Sequence, residues 1–167
     1  AFGGVDILVC NAGINTRSST LDMALDDWQR VIDVNLNGTL HFCRAVLPGM
    51  IAQGGGKIVN VSSTTAKTPH KNAAPAYGAS KAAVNYLTQH LAREMAPHGI
   101  FVNAVCPGPV ESDMTAQWDD DYRQRVLAGV PIGRLGTPEQ IAETVVFLAG
   151  PGSDFITGET VNANGGT

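Results

Sequence analysis

Short apolar runs alternate with long stretches of helical periodicity along the chain. V-D-I-L-V-C, from Val5 to Cys10, is closed by Asn11-Ala12-Gly13 and reads as a buried strand. From about Leu25 to Met50, Trp28, Ile32, Leu36, Leu40, Cys43 and Leu47 recur every three to four residues, predicting one long helix. Gln53-Gly54-Gly55-Gly56 ends it. Lys57–Ser62 is a second apolar strand, and Thr64 to Pro75 is a polar, proline-bearing loop. A helix follows from about Tyr77 to Met95, stopped by Pro97 and Gly99. Ile100–Cys106 is a third strand, broken by Pro107-Gly108-Pro109. Two shorter helices are expected, one near Asp120–Ala128 and one capped by Thr137, with Pro138 in its first turn, running to about Leu148. Glu159–Ala163 makes a last short strand.

Strands separated by long helices imply an α/β fold: a parallel sheet with helices on both faces. In such sheets ligands sit beyond the carboxyl ends of the strands. Asn11 and Gly13, Ser62 and Ser63, and Pro107-Gly108 stand at three such ends. Each residue type also makes turns for purely local reasons. Their convergence on one edge is the informative feature.

Composition narrows the function classes. The 167 residues, 44% hydrophobic and 16% charged, suit one globular domain. A net charge of −4 and the lack of a basic patch argue against nucleic acid. No stretch approaches the ~20 apolar residues of a membrane span. Asp119-Asp120-Asp121 reads as a solvated helix start. Cys10, Cys43 and Cys106 are odd in number and widely spaced, which suggests a reducing, cytoplasmic setting and no metal site. His41, His70, His90 and His98 lack metal-like spacing. His70 lies in the loop before Tyr77, where it could touch a substrate.

The chemistry begins at Tyr77 and Lys81. Four residues is just over one helical turn, so both side chains share a face. An ammonium beside a phenol favours the phenolate and lowers its pKa from about 10, which suits proton transfer near neutral pH. The same spacing also fits an exposed Tyr and Lys on a helix surface, so it needs support from elsewhere in the chain.

That support is a resemblance. Asn11-Ala12-Gly13, Val34-Asn35-Leu36, Ile58 to Ser63, Tyr77-Gly78-Ala79-Ser80-Lys81, Pro107-Gly108, and the tail from Pro131 through Gly166 resemble, in order and spacing, the short-chain dehydrogenase/reductase family. The pattern is most similar to 3-oxoacyl-acyl-carrier-protein reductases. The resemblance implies a Rossmann-type, doubly wound fold of which this chain is the C-terminal part. It implies that Tyr77 is the general acid in carbonyl reduction and the base in alcohol oxidation. Lys81 would depress the Tyr77 pKa and hold the nicotinamide ribose. Ser63, rather than Ser62, would bond the substrate carbonyl oxygen. Asn35 would fix a water that links Lys81 to solvent. Asn11, Ala12 and Gly13 would lie against the cofactor, Pro107, Gly108 and Val110 would press on the nicotinamide, and Ser112 would contact its carboxamide. Cys10 stands where relatives often carry another Asn, a change expected to touch no chemistry.

The same resemblance makes one absence conspicuous. Members open with a glycine-rich turn whose helix meets the pyrophosphate. Neither Gly3-Gly4 nor Gly54-Gly55-Gly56 follows a strand and opens a helix. The expectation is a single partial domain over residues 1–167, truncated, with a lid at about 111–130. It would serve an oxidoreductase using NADP or NAD on a small carbonyl, alcohol or acyl-carrier substrate, with Trp118 and Tyr122 as candidate pocket walls. Sugar, cyclic-alcohol and steroid dehydrogenases of the same family are the alternatives. So is a non-catalytic remnant assembling through its helices. The family also implies a homotetramer, with Ala82, Ala83, Leu87, Leu91 and Met95 as spare apolar surface. Val5–Cys10 would be left with an open edge.

Overall fold

The computed structural model describes residues 3–69 and 73–167. His70 lies outside the described residues. Among the described residues four strands, β1 (Ile7–Cys10), β2 (Gly56–Val61), β3 (Ile100–Pro107) and β4 (Thr160–Ala163), form one sheet in sequential order. Every pairing is parallel; Val9 faces Val59, Val59 faces Asn103, and Val105 faces Val161. Parallel neighbours need a crossover, and each crossover carries helix. The first holds α1 (Leu25–Ile32) and α2 (Gly38–Gln53), and the second holds α3 (Pro75–Met95). The third holds α4 (Asp113–Ala116), α5 (Asp120–Ala128) and α6 (Pro138–Ala149).

The alternation of side chains along the strands sorts the core into two layers. Ile58, Ile100 and Val102 pack with Cys43, Leu47 and Met50 of α2 and Leu91 and Met95 of α3. Val59, Val105 and Val161 turn the other way, onto Ile141, Val145 and Leu148 of α6. Helices therefore cover both faces, as the sequence implied. Leu91 and Met95 belong to this core and are not spare surface. The large exposed apolar groups of the first layer include Phe42 on α2 and Tyr86 on α3.

Several boundaries differ from the sequence reading. β1 begins at Ile7, two residues late. α3 takes Pro75 into its first turn, where the missing N–H is not needed. Thr64–Ala66 forms a single 3-10 turn, nucleated by Ser63, whose Oγ accepts from the Thr65 N–H. The long helix expected from Leu25 is interrupted by a π-helical stretch, Asp33–Asn37. Such a bulge re-aims side chains and is common at functional sites. Here its buried member is Asn35. Gly54, in the left-handed region at φ 82°, ends α2.

Candidate active site

The carboxyl ends of β1, β2 and β3 open onto one cavity of about 320 Å³. Asn11 and Gly13 reach it from β1, Ser62 and Ser63 from β2, and Pro107, Gly108 and Val110 from β3. Tyr77 and Lys81 enter from the first turns of α3, and Ser112 from the N-cap of α4. Two of the expected residues stay outside the wall: Ala12, which is exposed, and Asn35, which is fully buried behind it.

Lys81 is almost wholly buried, and its Nζ donates to the Val61 carbonyl at 2.7 Å. Burial lowers its pKa to about 8, offset in part by the Cys106 and Cys10 thiols nearby. Its Nζ lies 5.8 Å from the centre of the Tyr77 ring. The expectation that Lys81 depresses the phenol is not met: burial raises the Tyr77 pKa above its ordinary value, and the Ser63 hydroxyl opposes this as a hydrogen-bond partner. The physical reason is desolvation. The phenolate would be made in a water-poor pocket, where its charge is poorly solvated.

The two serines separate by their bonds. Ser62 Oγ donates to the Lys81 carbonyl at 3.2 Å, tying β2 to α3. Ser63 Oγ accepts from Thr65 N and Thr65 Oγ1, at 3.2 and 2.9 Å, which leaves its own proton to donate into the cavity.

Behind the wall, Asn35 accepts the Ile14 N–H at 2.8 Å and donates to the Ile14 carbonyl at 2.9 Å. Its Nδ2 also donates to Ser80 Oγ at 3.0 Å, and Ser80 in turn donates to the Tyr77 carbonyl at 2.8 Å. One Oδ1 lone pair remains. Gly13 stands in front of this network. A Cβ added there would lie 3.2 Å from Lys81 Nζ and 3.4 Å from Asn35 Oδ1.

Cys10 is closer to the chemistry than its position in the sequence suggested. A hydrogen bond from Cys43 lowers its pKa, and the same contact, with burial, pushes Cys43 up. The Lys81 charge also acts on Cys10. The cavity has further members that sequence reading did not single out: Ile14, Asn15 and Arg17 after β1, and Val126 on α5. Val126 was findable, because Trp118, Tyr122 and Val126 recur at intervals of four. The segment expected to form a lid supplies these three groups together with Ser112 and Thr115. Among the described residues no group of three or more His, Cys, Asp or Glu could hold a metal ion. No described helix is long and apolar enough to cross a membrane.

The whole chain, residues 1–167, matches the family model described as enoyl-(acyl carrier protein) reductase. It is 44% identical, over 165 residues, to the 3-oxoacyl-acyl-carrier-protein reductase FabG of Vibrio cholerae; the match covers 99% of this chain and 67% of the relative. A 3-oxoacyl-acyl-carrier-protein reductase from Brucella melitensis with bound NAD superposes at a TM-score of 0.91 with 38% identity, covering 96% of this chain and 61% of that one. A protein from Agrobacterium tumefaciens described as a 2-deoxy-D-gluconate 3-dehydrogenase, with bound NADP, superposes at 0.93 with 37% identity, covering 96% and 66%. The chain thus spans roughly two thirds of the length of the relatives it matches.

Proposed function

The chain belongs to the short-chain dehydrogenase/reductase family, and from that premise we propose that it carries the catalytic centre of an oxidoreductase interconverting a carbonyl and a secondary alcohol. The observation that supports this most directly is the meeting of Ser63, Tyr77 and Lys81 at one cavity on the carboxyl edge of the sheet. The Tyr77 phenol, with a pKa above its ordinary value, carries its proton at neutral pH, as any tyrosine would. That is the state a general acid needs when a carbonyl oxygen gains negative charge during reduction. Ser63 donates its hydroxyl proton to the same oxygen and steadies the charge as it develops. Lys81, still mostly ammonium at pH 7 with a pKa of about 8, supplies positive charge beside the phenol. In alcohol oxidation the roles reverse, and Tyr77 accepts the proton.

The residues present fit the nicotinamide end of a dinucleotide. Gly13 leaves open a space that a Cβ would fill against Lys81. Only one of the three Lys81 N–H groups has a partner among the described residues, which leaves donors for ribose hydroxyls. Asn11, Pro107, Gly108 and Val110 supply a mixed polar and apolar bed, Ser112 a hydroxyl, and Ala12 lies beside them in the chain. When bound, the nicotinamide supplies or accepts the hydride. NAD and NADP are both retained as cofactors, since each is named for one of the similar structures. Asn35 would order a water on its remaining lone pair and so reach Lys81.

For substrate we favour a 3-oxoacyl group, following the names of the relatives. The gluconate-type relative supports a small oxo or hydroxy acid as the second reading. A homo-oligomer assembling through α2 and α3, with Phe42 and Tyr86 at the contact, completes the picture. The test of the function is Tyr77→Phe, assayed by oxidation of the reduced dinucleotide with a 3-oxoacyl thioester. Turnover should fall at least ~100-fold, the scale of general acid–base catalysis, with an unchanged unfolding midpoint. Turnover equal to the parent's would overturn the assignment.

A further inference from the structure

We propose that Arg17 sets the specificity of the cavity by binding a carboxylate on the substrate, with the substrate's apolar body against Trp118 and Tyr122. This rests on the oxidoreductase reading and deepens its second substrate class, the small oxo or hydroxy acid, because a 3-oxoacyl thioester carries no free carboxylate for Arg17 to bind. The chain is acidic overall, at −4, yet among the described residues the cavity wall contains no Asp or Glu and two cations, Lys81 and Arg17. The two cations are not equivalent. Lys81 is buried and bonded to the Val61 carbonyl. Arg17 is exposed on the wall and has neither an ion pair nor a side-chain hydrogen bond among the described residues. An unpaired guanidinium over a concave, carboxylate-free surface attracts anions. Its planar fork matches the two oxygens of a carboxylate.

The same loop brings a second polar residue to the wall. Asn15 lines the cavity two residues before Arg17, and its Oδ1, like Thr16 Oγ1 and Ser18 Oγ beside it, is buried without a partner among the described residues. Buried acceptors normally find a donor. A further part of the wall comes from α5 and the turn before it. Trp118 and Tyr122 meet edge to face with ring centres 4.9 Å apart, and Val126 follows one turn later. Two half-buried aromatic rings on a cavity wall offer a C–H surface its place. The pocket therefore combines a cation, an apolar surface, and the Ser63 and Tyr77 hydroxyls, a set that fits an oxo or hydroxy acid.

The chain has two tryptophans, Trp28 and Trp118, so Trp28→Phe leaves Trp118 as the sole tryptophan fluorophore. The probes are benzoate and its neutral counterpart benzamide, titrated without dinucleotide. Benzoate should quench Trp118 and bind about tenfold tighter than benzamide, the ratio that one charge-assisted contact supplies, and Arg17→Gln should remove that preference. Calorimetric titration of the chain with both tryptophans in place gives the same ratio should Trp28→Phe fail to fold. Equal binding of the two probes, binding of neither, or a preference that survives Arg17→Gln would each overturn the proposal. The last outcome would transfer the anion site to Lys81. Because the readout needs no turnover, loss of this preference leaves the oxidoreductase reading standing. Failure of the Tyr77→Phe assay likewise leaves the anion site standing.

Discussion

Asn35 holds Ile14 by both of its backbone groups, accepting the N–H at 2.8 Å and donating to the carbonyl at 2.9 Å. A side chain on a helix thereby acts as a strand partner for the loop that leaves β1. The π-helical stretch allows it, by turning Asn35 inward out of the ordinary α register. Asn35→Asp removes the amide donor and sets a buried carboxylate against the Ile14 carbonyl. Two orphaned acceptors, Ile14 O and Ser80 Oγ, would remain. Unmet buried groups cost about 1–3 kcal/mol each. A loss of roughly 3 kcal/mol in urea denaturation is expected on that scale; an unchanged midpoint would contradict the role assigned to the clasp.

Lys81 should leave a signature in the pH dependence of stability. Its folded pKa of about 8 lies below the ordinary 10.5. Between those values the unfolded chain binds the proton and the folded one does not, so the Lys81 contribution to stability rises with pH through that window. Below pH 8 the buried ammonium is a net cost, of up to roughly 3 kcal/mol by the size of the shift. Denaturation of the parent and of Lys81→Met, once below that window and once near its upper end, measures this as a difference of differences. The parent should gain on the variant as pH rises. Parallel behaviour of the two would show that Lys81 is better solvated than its burial suggests.

Gly13→Ala tests how tightly the site is built. The new Cβ would sit 3.2 Å from a lysine nitrogen that Val61 holds in place, and 3.4 Å from Asn35 Oδ1. Either neighbour must shift by a few tenths of an ångström. Turnover should drop about tenfold, because small misplacements of catalytic groups are costly. Overpacking should lower stability by roughly 1 kcal/mol. Steady-state kinetics and a denaturation curve on the same preparation separate the two effects. Parent-like turnover would mean that Lys81 can move without consequence.

Among the described residues β1 pairs only with β2 and so forms an edge of the sheet. Ile7 and Val9, on one face of it, remain 50% and 42% exposed. A flat apolar edge of this kind recruits further strands. The 167-residue chain should self-associate at micromolar concentration, and Ile7→Lys should suppress that association without unfolding it. Sedimentation velocity decides; a monodisperse monomer before substitution would remove the edge as a liability.

The layered fold was legible in the order of residues. Apolar runs of four to six residues, helical periodicity around Cys43 and Leu47, and glycine stops such as Gly54 are local signals, and local signals survive into the structure. The convergence of Ser63, Tyr77 and Pro107 was legible too, because a parallel sheet places every strand's carboxyl end on one edge. The strand's start was not. Val5 is as strand-like as Ile7 in sequence, yet the register with β2 begins only at Ile7.

What the amino-acid order determined by itself was therefore the succession of elements, the edge on which the site lies, and the residue types that meet there. Periodicity and turn chemistry are properties of neighbours along the chain. The tertiary structure alone decided that Asn35 binds Ile14 rather than the cavity, that Leu91 and Met95 are core, and that Arg17 and Trp118 share one pocket. It also decided the sign of the Tyr77 shift. Two residues four apart predict a contact, but a pKa answers to everything that excludes water. Here the burial of the phenol outweighs the Ser63 hydrogen bond that favours its ionised form.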